Sequence, residues 1–431
     1  AAQDPGGPPQ GRQVALEPAV PEPAADGRLT VLVTGVSRFL GSSLAGRLAA
    51  DPRVRRVIGV DAALPDEAAR ARMGDAEFAR ADIRNPLIAR VIEAAAVNTV
   101  VHASSSAAPV ASAARAMTKE MNVLGTMQLL AACQRAPSVQ HLIVRSTAAV
   151  YGGSSKDPAI FTEETVPRAA PASSSARDAV DIEGYVRGFG RRRPDVRVAM
   201  PRFAEIIGPT VLSPLTRYFS LAPAVPIALG HDARVQFVHE QDAVAVLEHL
   251  TLGGFAGIVN VAGDGTLTLA QAIRRTGRIP LPAPMSAMDA IGGLLRLARI
   301  GGFSTQQLRL LTSGRVLDTT RLRREAGFTC RYTTRQAFDD FARTITPVVS
   351  PAMIRAGEVR VASAIGVTAL PNDDAGATRG GDGAPVVTSP RDPAGGSGHR
   401  RRHLVSVDGT GSARRSSGGP SSGADRRSRS R

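Results

Sequence analysis

Residues 29–61 constrain this chain more than any other stretch. Leu29-Thr30-Val31-Leu32-Val33-Thr34 is a short apolar, β-branched run that predicts a buried strand. Gly35 follows, then Val36-Ser37-Arg38-Phe39-Leu40-Gly41 and a helix-forming Ala/Leu/Arg segment through Ala50. After the Asp51-Pro52 break comes a second apolar run, Val57-Ile58-Gly59-Val60, which ends in Asp61. A strand, a glycine turn, a helix, a strand and a carboxylate about 20 residues past the last glycine form the layout of a dinucleotide-binding unit. Gly35 turns the chain tightly out of the strand, and Gly41 lets helix and strand approach closely. The free N–H groups of the helix start then face a pyrophosphate. Asp61 accepts hydrogen bonds from ribose hydroxyls and repels a 2′-phosphate, which favours NAD over NADP. At the middle-glycine position stands Arg38, either as a counter-charge over the phosphates or as a side chain that narrows the site.

Composition limits what surrounds this unit. Of the 431 residues, 1–27 and 350–431 are rich in Pro, Gly, Ser, Ala and Arg without apolar periodicity, so both ends are expected to be disordered. The remainder suits one large domain: a dinucleotide-binding part over 28–209 and a smaller lobe over 210–345. The formal charge of +15 invites a nucleic-acid reading. Much of the excess, however, lies in Arg400–Arg402 and Arg426–Arg431, where no aromatic residues are interleaved for base stacking. Cys133 and Cys330 stand far apart with no disulfide or metal spacing, which suits a reducing cytoplasm. No uncharged apolar run reaches membrane-spanning length, and the opening carries no apolar signal segment.

Further along, strand and helix alternate. Strands are expected at Glu77–Ile83, Asn98–Ala103, His141–Ser146 and Val196–Met200, with helices over Pro86–Ala95, Ala111–Ala136 and Arg177–Arg192. Such alternation predicts an α/β, Rossmann-type, doubly wound parallel sheet, with the later residues forming a lobe over the carboxyl ends of the strands.

These landmarks in this order resemble the extended short-chain dehydrogenase/reductases: Val33-Thr34-Gly35, Asp61, Asp82-Ile83, Asn122-Val123-Leu124-Gly125-Thr126, Ser146-Thr147-Ala148-Ala149-Val150-Tyr151-Gly152, Pro201-Arg202-Phe203 with Gly208-Pro209, and Gln236-Phe237-Val238-His239 followed by Asp242. The likeness covers residues 28–345 and is greatest to the NAD-dependent epimerase/dehydratase family that includes UDP-glucose 4-epimerase, in an actinobacterial branch. It implies that Gly35, Arg38, Phe39, Leu40 and Gly41 border the pyrophosphate, that Asp61 faces the ribose, and that Asp82 with Ile83 faces the adenine. Ala103 and Ser104 would lie under NAD, and Thr147 matches the family's catalytic Ser/Thr. A nucleotide-sugar substrate and a homodimer are also implied.

One part of the pattern is missing. The family's chemistry uses a tyrosinate whose pKa is lowered by a lysine four residues on. Here the tyrosine position falls on Ser175 and the lysine position on Ala179, and the sequence holds only Lys119 and Lys156. On the substrate side Glu205 replaces an asparagine, and a phosphate-binding arginine falls on Val235 with Arg234 beside it. Asp178 is expected as a helix-surface charge. Three readings stay open: a nucleotide-sugar epimerase or oxidoreductase with a degenerate site, a dinucleotide sensor or scaffold without turnover, and nucleic-acid or acidic-surface binding through the Arg/Ser tail.

Overall fold

The computed structural model describes residues 27–103, 120–153, 157–166, 174–284 and 314–350, with a few isolated positions besides. The chain divides into two compact units, Ala1–Ala369 and Leu370–Arg431, and every described residue belongs to the first.

The frame is a parallel sheet. Its strands are β1 (Leu29–Thr34), β2 (Val54–Asp61), β3 (Glu77–Arg80), β4 (Thr99–His102), β5 (His141–Val144), β6 (Ser146–Thr147), β7 (Arg197–Phe203) and, later in the chain, β12 (Gly257–Val261). They run in the order β12-β7-β5-β4-β1-β2-β3, with β6 extending the path beside β7. Every pairing is parallel. Successive side chains of a strand point to opposite faces, and β1 shows the result. Val31 and Val33 pack with Leu44 and Leu48 of α1 (Phe39–Ala49) and Leu247 and Leu250 of α7 (Glu240–Gly253). Leu32 points the other way, onto Ile88 and Ile92 of α3 (Leu87–Ala94), Leu129 of α4 (Gly125–Arg135) and Phe189 of α5 (Ser174–Arg192). Both faces are therefore covered, which is why β1 reads as an unbroken apolar run rather than an alternating one. α2 (Glu67–Met73) connects β2 to β3 and packs against α1.

The lobe begins as β7 leaves the sheet. β8 (Glu205–Ile207) pairs in parallel with β11 (Phe237–His239). β9 (Ala224–Ala228) pairs with β14 (Ile279–Ala283), and β10 (Arg234–Val235) with β13 (Leu267–Thr268). α6 (Pro214–Phe219), α8 (Leu269–Arg275) and α10 (Thr334–Ala342) close over an aromatic core of Tyr218, Phe219, Phe237, Phe338 and Phe341. α9 (Thr320–Arg324) returns to β12.

The parallel α/β sheet with a C-terminal lobe matches the expectation; β3 and β5 stop two or three residues short of the sequence-based ends, whereas β7 runs on to Phe203, past the expected Met200. Part of the helix expected over 111–136 lies outside the described residues; what is described opens with a π-helical turn, Glu120–Leu124, before α4. Asp178 departs from the surface role expected of it: α5 turns it inward, where it is 8% exposed.

Candidate functional site

The turn between β1 and α1 has the geometry that the glycines imply. Gly35 takes φ +79°, a region side chains rarely enter. A Cβ on Gly41 would lie 2.3 Å from the Gly35 carbonyl oxygen, so helix and turn are in backbone contact and only glycine fits. Arg38, extended and exposed, is the N-cap of α1 and offers no side-chain cap. Its amide donates to the Gly35 carbonyl at 3.2 Å. The first turn of α1 contains no acidic residue. The first amides of a helix have no partner within it, and here they lie beside half-buried Phe39 and Leu40; such a helix start can take a phosphate. Across the turn, the Ser37 hydroxyl and amide donate to Asp61 Oδ2 at 2.6 and 3.1 Å, and the Ala63 amide reaches Oδ1 at 3.1 Å. Three donors fix a carboxylate that can accept more. A dinucleotide fits these residues.

Just past β3, Asp82 is gripped by Arg84, whose Nη2 donates to Oδ2 at 2.6 Å. That guanidinium holds the Asp82 carboxyl below its usual range, against a smaller effect of burial. Ile83 is buried against α4, where a Cβ on Gly125 would meet its Cδ1 at 2.7 Å. Ala103 is buried at the end of β4; Ser104 lies outside the described residues. Below them His102 joins β1 to α4. Thr126 donates to the Asn122 carbonyl at 2.5 Å, so its oxygen accepts from His102 Nε2 (3.0 Å) and His102 Nδ1 accepts from Thr34 (2.8 Å). That assigns the Nε2–H tautomer. Burial, with the Arg145 charge adding to it, pushes the ring down to about 4, so it is neutral.

Where β6 meets β7 the alternation of side chains separates two polar systems. Ser146 and Arg202 are register partners facing α5. Ser146 donates to Glu183 Oε1 at 2.6 Å, and Arg202 grips both Glu183 oxygens at 2.8 and 2.7 Å. Arg202 also donates to the Tyr151 hydroxyl at 2.8 Å, which in turn donates to Asn260 Oδ1 at 2.7 Å. Burial raises the Tyr151 phenol, only partly offset by Arg202. A neutral phenol committed to two partners is a structural tie.

Arg145 and Thr147 lie on the opposite side of the same strand path, both half-buried. Thr147 Oγ1 accepts the Ala149 amide at 3.2 Å and keeps its hydroxyl proton to give. Glu205 opens β8, two residues past Phe203, the register partner of Thr147. Arg315 arrives from the lobe. Gly314, at φ +67°, lays the chain against the backbone of Arg234, and the Arg315 amide donates to the Arg234 carbonyl at 3.0 Å. The Arg315 Nη2 donates to the Gly152 carbonyl. Burial draws both guanidinium groups down to about 10, opposed by Glu205 in each case, with Arg38 adding to the fall at Arg145. Burial raises the Glu205 carboxyl against the pull of Arg315 and Arg145.

Ser175 is exposed in the first turn of α5, and Ala179 packs against the Tyr151–Phe161 cluster. The Arg234 side chain is exposed on β10, and its carbonyl accepts the Arg315 amide. Sequence reading missed Arg145 and Arg315. Arg145 carried a signal, being a charge at the carboxyl end of an apolar parallel strand; Arg315 carried none. Lys119, Lys156 and the Arg-rich end lie outside the described residues.

The sequence model of the NAD dependent epimerase/dehydratase family matches residues 31–262. An uncharacterized protein of Mycobacterium tuberculosis (strain ATCC 25618 / H37Rv) is 48% identical over 332 residues, covering 77% of this chain and 88% of the relative. A Mycobacterium bovis protein, also uncharacterized, matches to the same extent. Among solved structures, dTDP-glucose 4,6-dehydratase from Bacillus anthracis in complex with NAD superposes with a TM-score of 0.56 at 19% identity, over 73% of this chain and 96% of that one. UDP-glucose 4-epimerase of Thermotoga maritima with UDP-glucose gives 0.56 at 19% identity, over 73% and 98%.

Proposed function

Because the chain belongs to the NAD dependent epimerase/dehydratase family, we propose that it binds NAD across the β1–α1 turn and a nucleotide-sugar beside it, without the tyrosine–lysine proton relay of its relatives. The observation that carries this reading is the turn itself: an uncapped helix start in backbone contact with Gly35, facing a carboxylate fixed by Ser37. Gly35, Arg38, Phe39, Leu40 and Gly41 would hold the pyrophosphate, Asp61 the ribose, and Asp82, Ile83 and Ala103 the adenine side and floor. Bound there, NAD supplies a hydride acceptor.

What the chain's own residues do follows from their positions. Thr147 gives its proton to a sugar oxygen. Ser175, with an alcohol's pKa, does not take one, and Ala179 provides no ammonium to help it. Tyr151 is committed to Arg202 and Asn260. The wild-type protein is therefore expected to bind UDP-glucose with NAD and to show no NADH absorbance, whereas Ser175→Tyr with Ala179→Lys gains it. NADH formation by the wild type would overturn this reading.

One observation favours a second reading. Glu205 is a carboxylate with a raised pKa beside Thr147's strand, which is the character of a general base. Under that reading the wild type turns over and Glu205→Gln abolishes it while NAD still binds.

A further inference from the structure

The C-terminal lobe holds a cavity of about 350 Å³ lined by Arg331, Tyr332, Gln336, Asp339, Asp340 and Arg343. It shares no residue with the β1–α1 turn or with the strand path around Thr147. Buried groups hold the lining from behind. Asp242, 3% exposed in the first turn of α7, accepts the Arg331 and Tyr332 amides at 3.0 and 2.9 Å. His239, 2% exposed, stacks on Tyr332 with ring centroids 3.9 Å apart. Its Nδ1 accepts the Gln241 amide at 3.2 Å, so Nε2 carries the proton and donates to Asp340 Oδ2 at 3.1 Å. Main chain, ring and acid are thus fixed in advance, which lowers the ordering cost of binding.

The hydrogen-bonding capacity left on the open side is mostly of one kind. Asp340 Oδ1 accepts from Arg343 Nη1 at 2.8 Å and Asp339 Oδ1 from Arg275 Nη1 at 2.7 Å, while Asp339 Oδ2 lies 3.8 Å from Arg335 Nε. Gln336 Oε1 accepts the Thr333 amide at 2.9 Å and its hydroxyl at 3.1 Å. Donors remain. Among the described residues the Arg331 guanidinium, the Tyr332 hydroxyl and Gln336 Nε2 make no hydrogen bond, and Arg343 uses a single nitrogen. The Arg331 side chain has one contact, its Cζ lying 5.9 Å from the Tyr332 ring centroid. Arg275, Arg331, Arg335 and Arg343 outnumber Asp242, Asp339 and Asp340 by one charge, so the surplus is positive.

We infer that this cavity is a second ligand site, for a small sugar phosphate. The phosphate lies on Arg331, Arg343 and the Tyr332 hydroxyl, and the sugar hydroxyls on Asp339, Asp340 and Gln336. A phosphate presents three acceptor oxygens in different directions, which suits donors on separate side chains, whereas a planar carboxylate suits one guanidinium fork. The lining has no aliphatic side chain, so an acyl chain or a nucleobase finds little apolar surface. Sugar hydroxyls can give to the remaining lone pairs of the two carboxylates and accept from Gln336. The volume is at the low end of small-molecule sites, roughly 300–1,000 Å³, which fits one sugar and not a dinucleotide.

The test is calorimetry on the full chain with ribose 5-phosphate, inorganic phosphate and ribose. Ribose 5-phosphate is expected to bind at least about tenfold tighter than inorganic phosphate, and ribose to give no heat of binding. Arg331→Gln and Arg343→Gln should each weaken ribose 5-phosphate by at least about tenfold, the loss of one charge-assisted bond. Tyr332→Phe keeps the ring on His239 and should weaken it several-fold. Arg343→Gln also frees one Asp340 oxygen; Arg331→Gln breaks no bond of the fold and, melting as the wild type does, decides the matter. No binding of ribose 5-phosphate overturns the site. Inorganic phosphate bound as tightly as the ester overturns the sugar part. Unchanged affinity in Arg331→Gln places the ligand elsewhere and overturns the assignment.

Discussion

Ser37 donates to Asp61 through its hydroxyl at 2.6 Å and its amide at 3.1 Å, both to the same carboxylate oxygen. The bond ties the glycine turn to the tip of the neighbouring strand, linking the helix start to the carboxylate proposed to hold the ribose. Ser37→Ala removes the hydroxyl and leaves the amide. The variant is expected to keep its stability and to bind NAD several-fold more weakly, about 1 kcal/mol, by calorimetry. Unchanged NAD affinity would show that Asp61 needs no such support.

The Glu183–Arg202 pair, each side chain nearly unexposed, predicts an asymmetric response to mutation. Glu183→Gln leaves Arg202 buried with a neutral partner and should cost about 3–5 kcal/mol in urea unfolding. Replacing both, as Glu183→Leu with Arg202→Met, should recover much of that loss, since no buried charge then remains. A double variant as unstable as the single one would contradict this account of the pair.

His102 predicts a pH dependence. Its ring is neutral in the fold, with a pKa of about 4 against 6.5 for the ordinary group. Between those values the unfolded chain takes up a proton that the folded chain refuses, so folding is penalised there. This stability is fully present above about 6.5 and is lost as the pH falls toward about 4, up to about 3 kcal/mol in all. Urea midpoints measured from about pH 7 down to about pH 4.5 should fall, and less steeply in His102→Asn. Parallel slopes in the two proteins would assign the loss to other groups.

The ease with which these features could be read from the sequence varied with their range. The β1–α1–β2 unit was legible because its requirements are local: Gly35 and Gly41 meet within one turn, and Asp61 follows at a distance the helix sets. The place of Thr147 just past β5 was legible from its run, its role being part of the proposal. The departure from the family's Tyr-x-x-x-Lys pattern was also legible, since neither of the two lysines stands four residues after a tyrosine. Asp178 was misjudged because Arg177-Asp178 reads as a surface pair, and only the packing of α5 on the sheet turns the acid inward. Arg315 could not be found: a left-handed turn at Gly314 docks its segment on a strand some 80 residues earlier, a contact made by the fold alone.

The measurement that bears most directly on the central claim is a pair of calorimetric titrations, NAD and NADP, on the wild type and on Asp61→Asn. If the carboxylate at the end of β2 holds the ribose, the wild type binds NAD and discriminates against the 2′-phosphate. Asp61→Asn should then weaken NAD and narrow the gap by roughly tenfold, on the order of 1.4 kcal/mol. Equal affinity for the two cofactors in both proteins, or no binding of either, would contradict it.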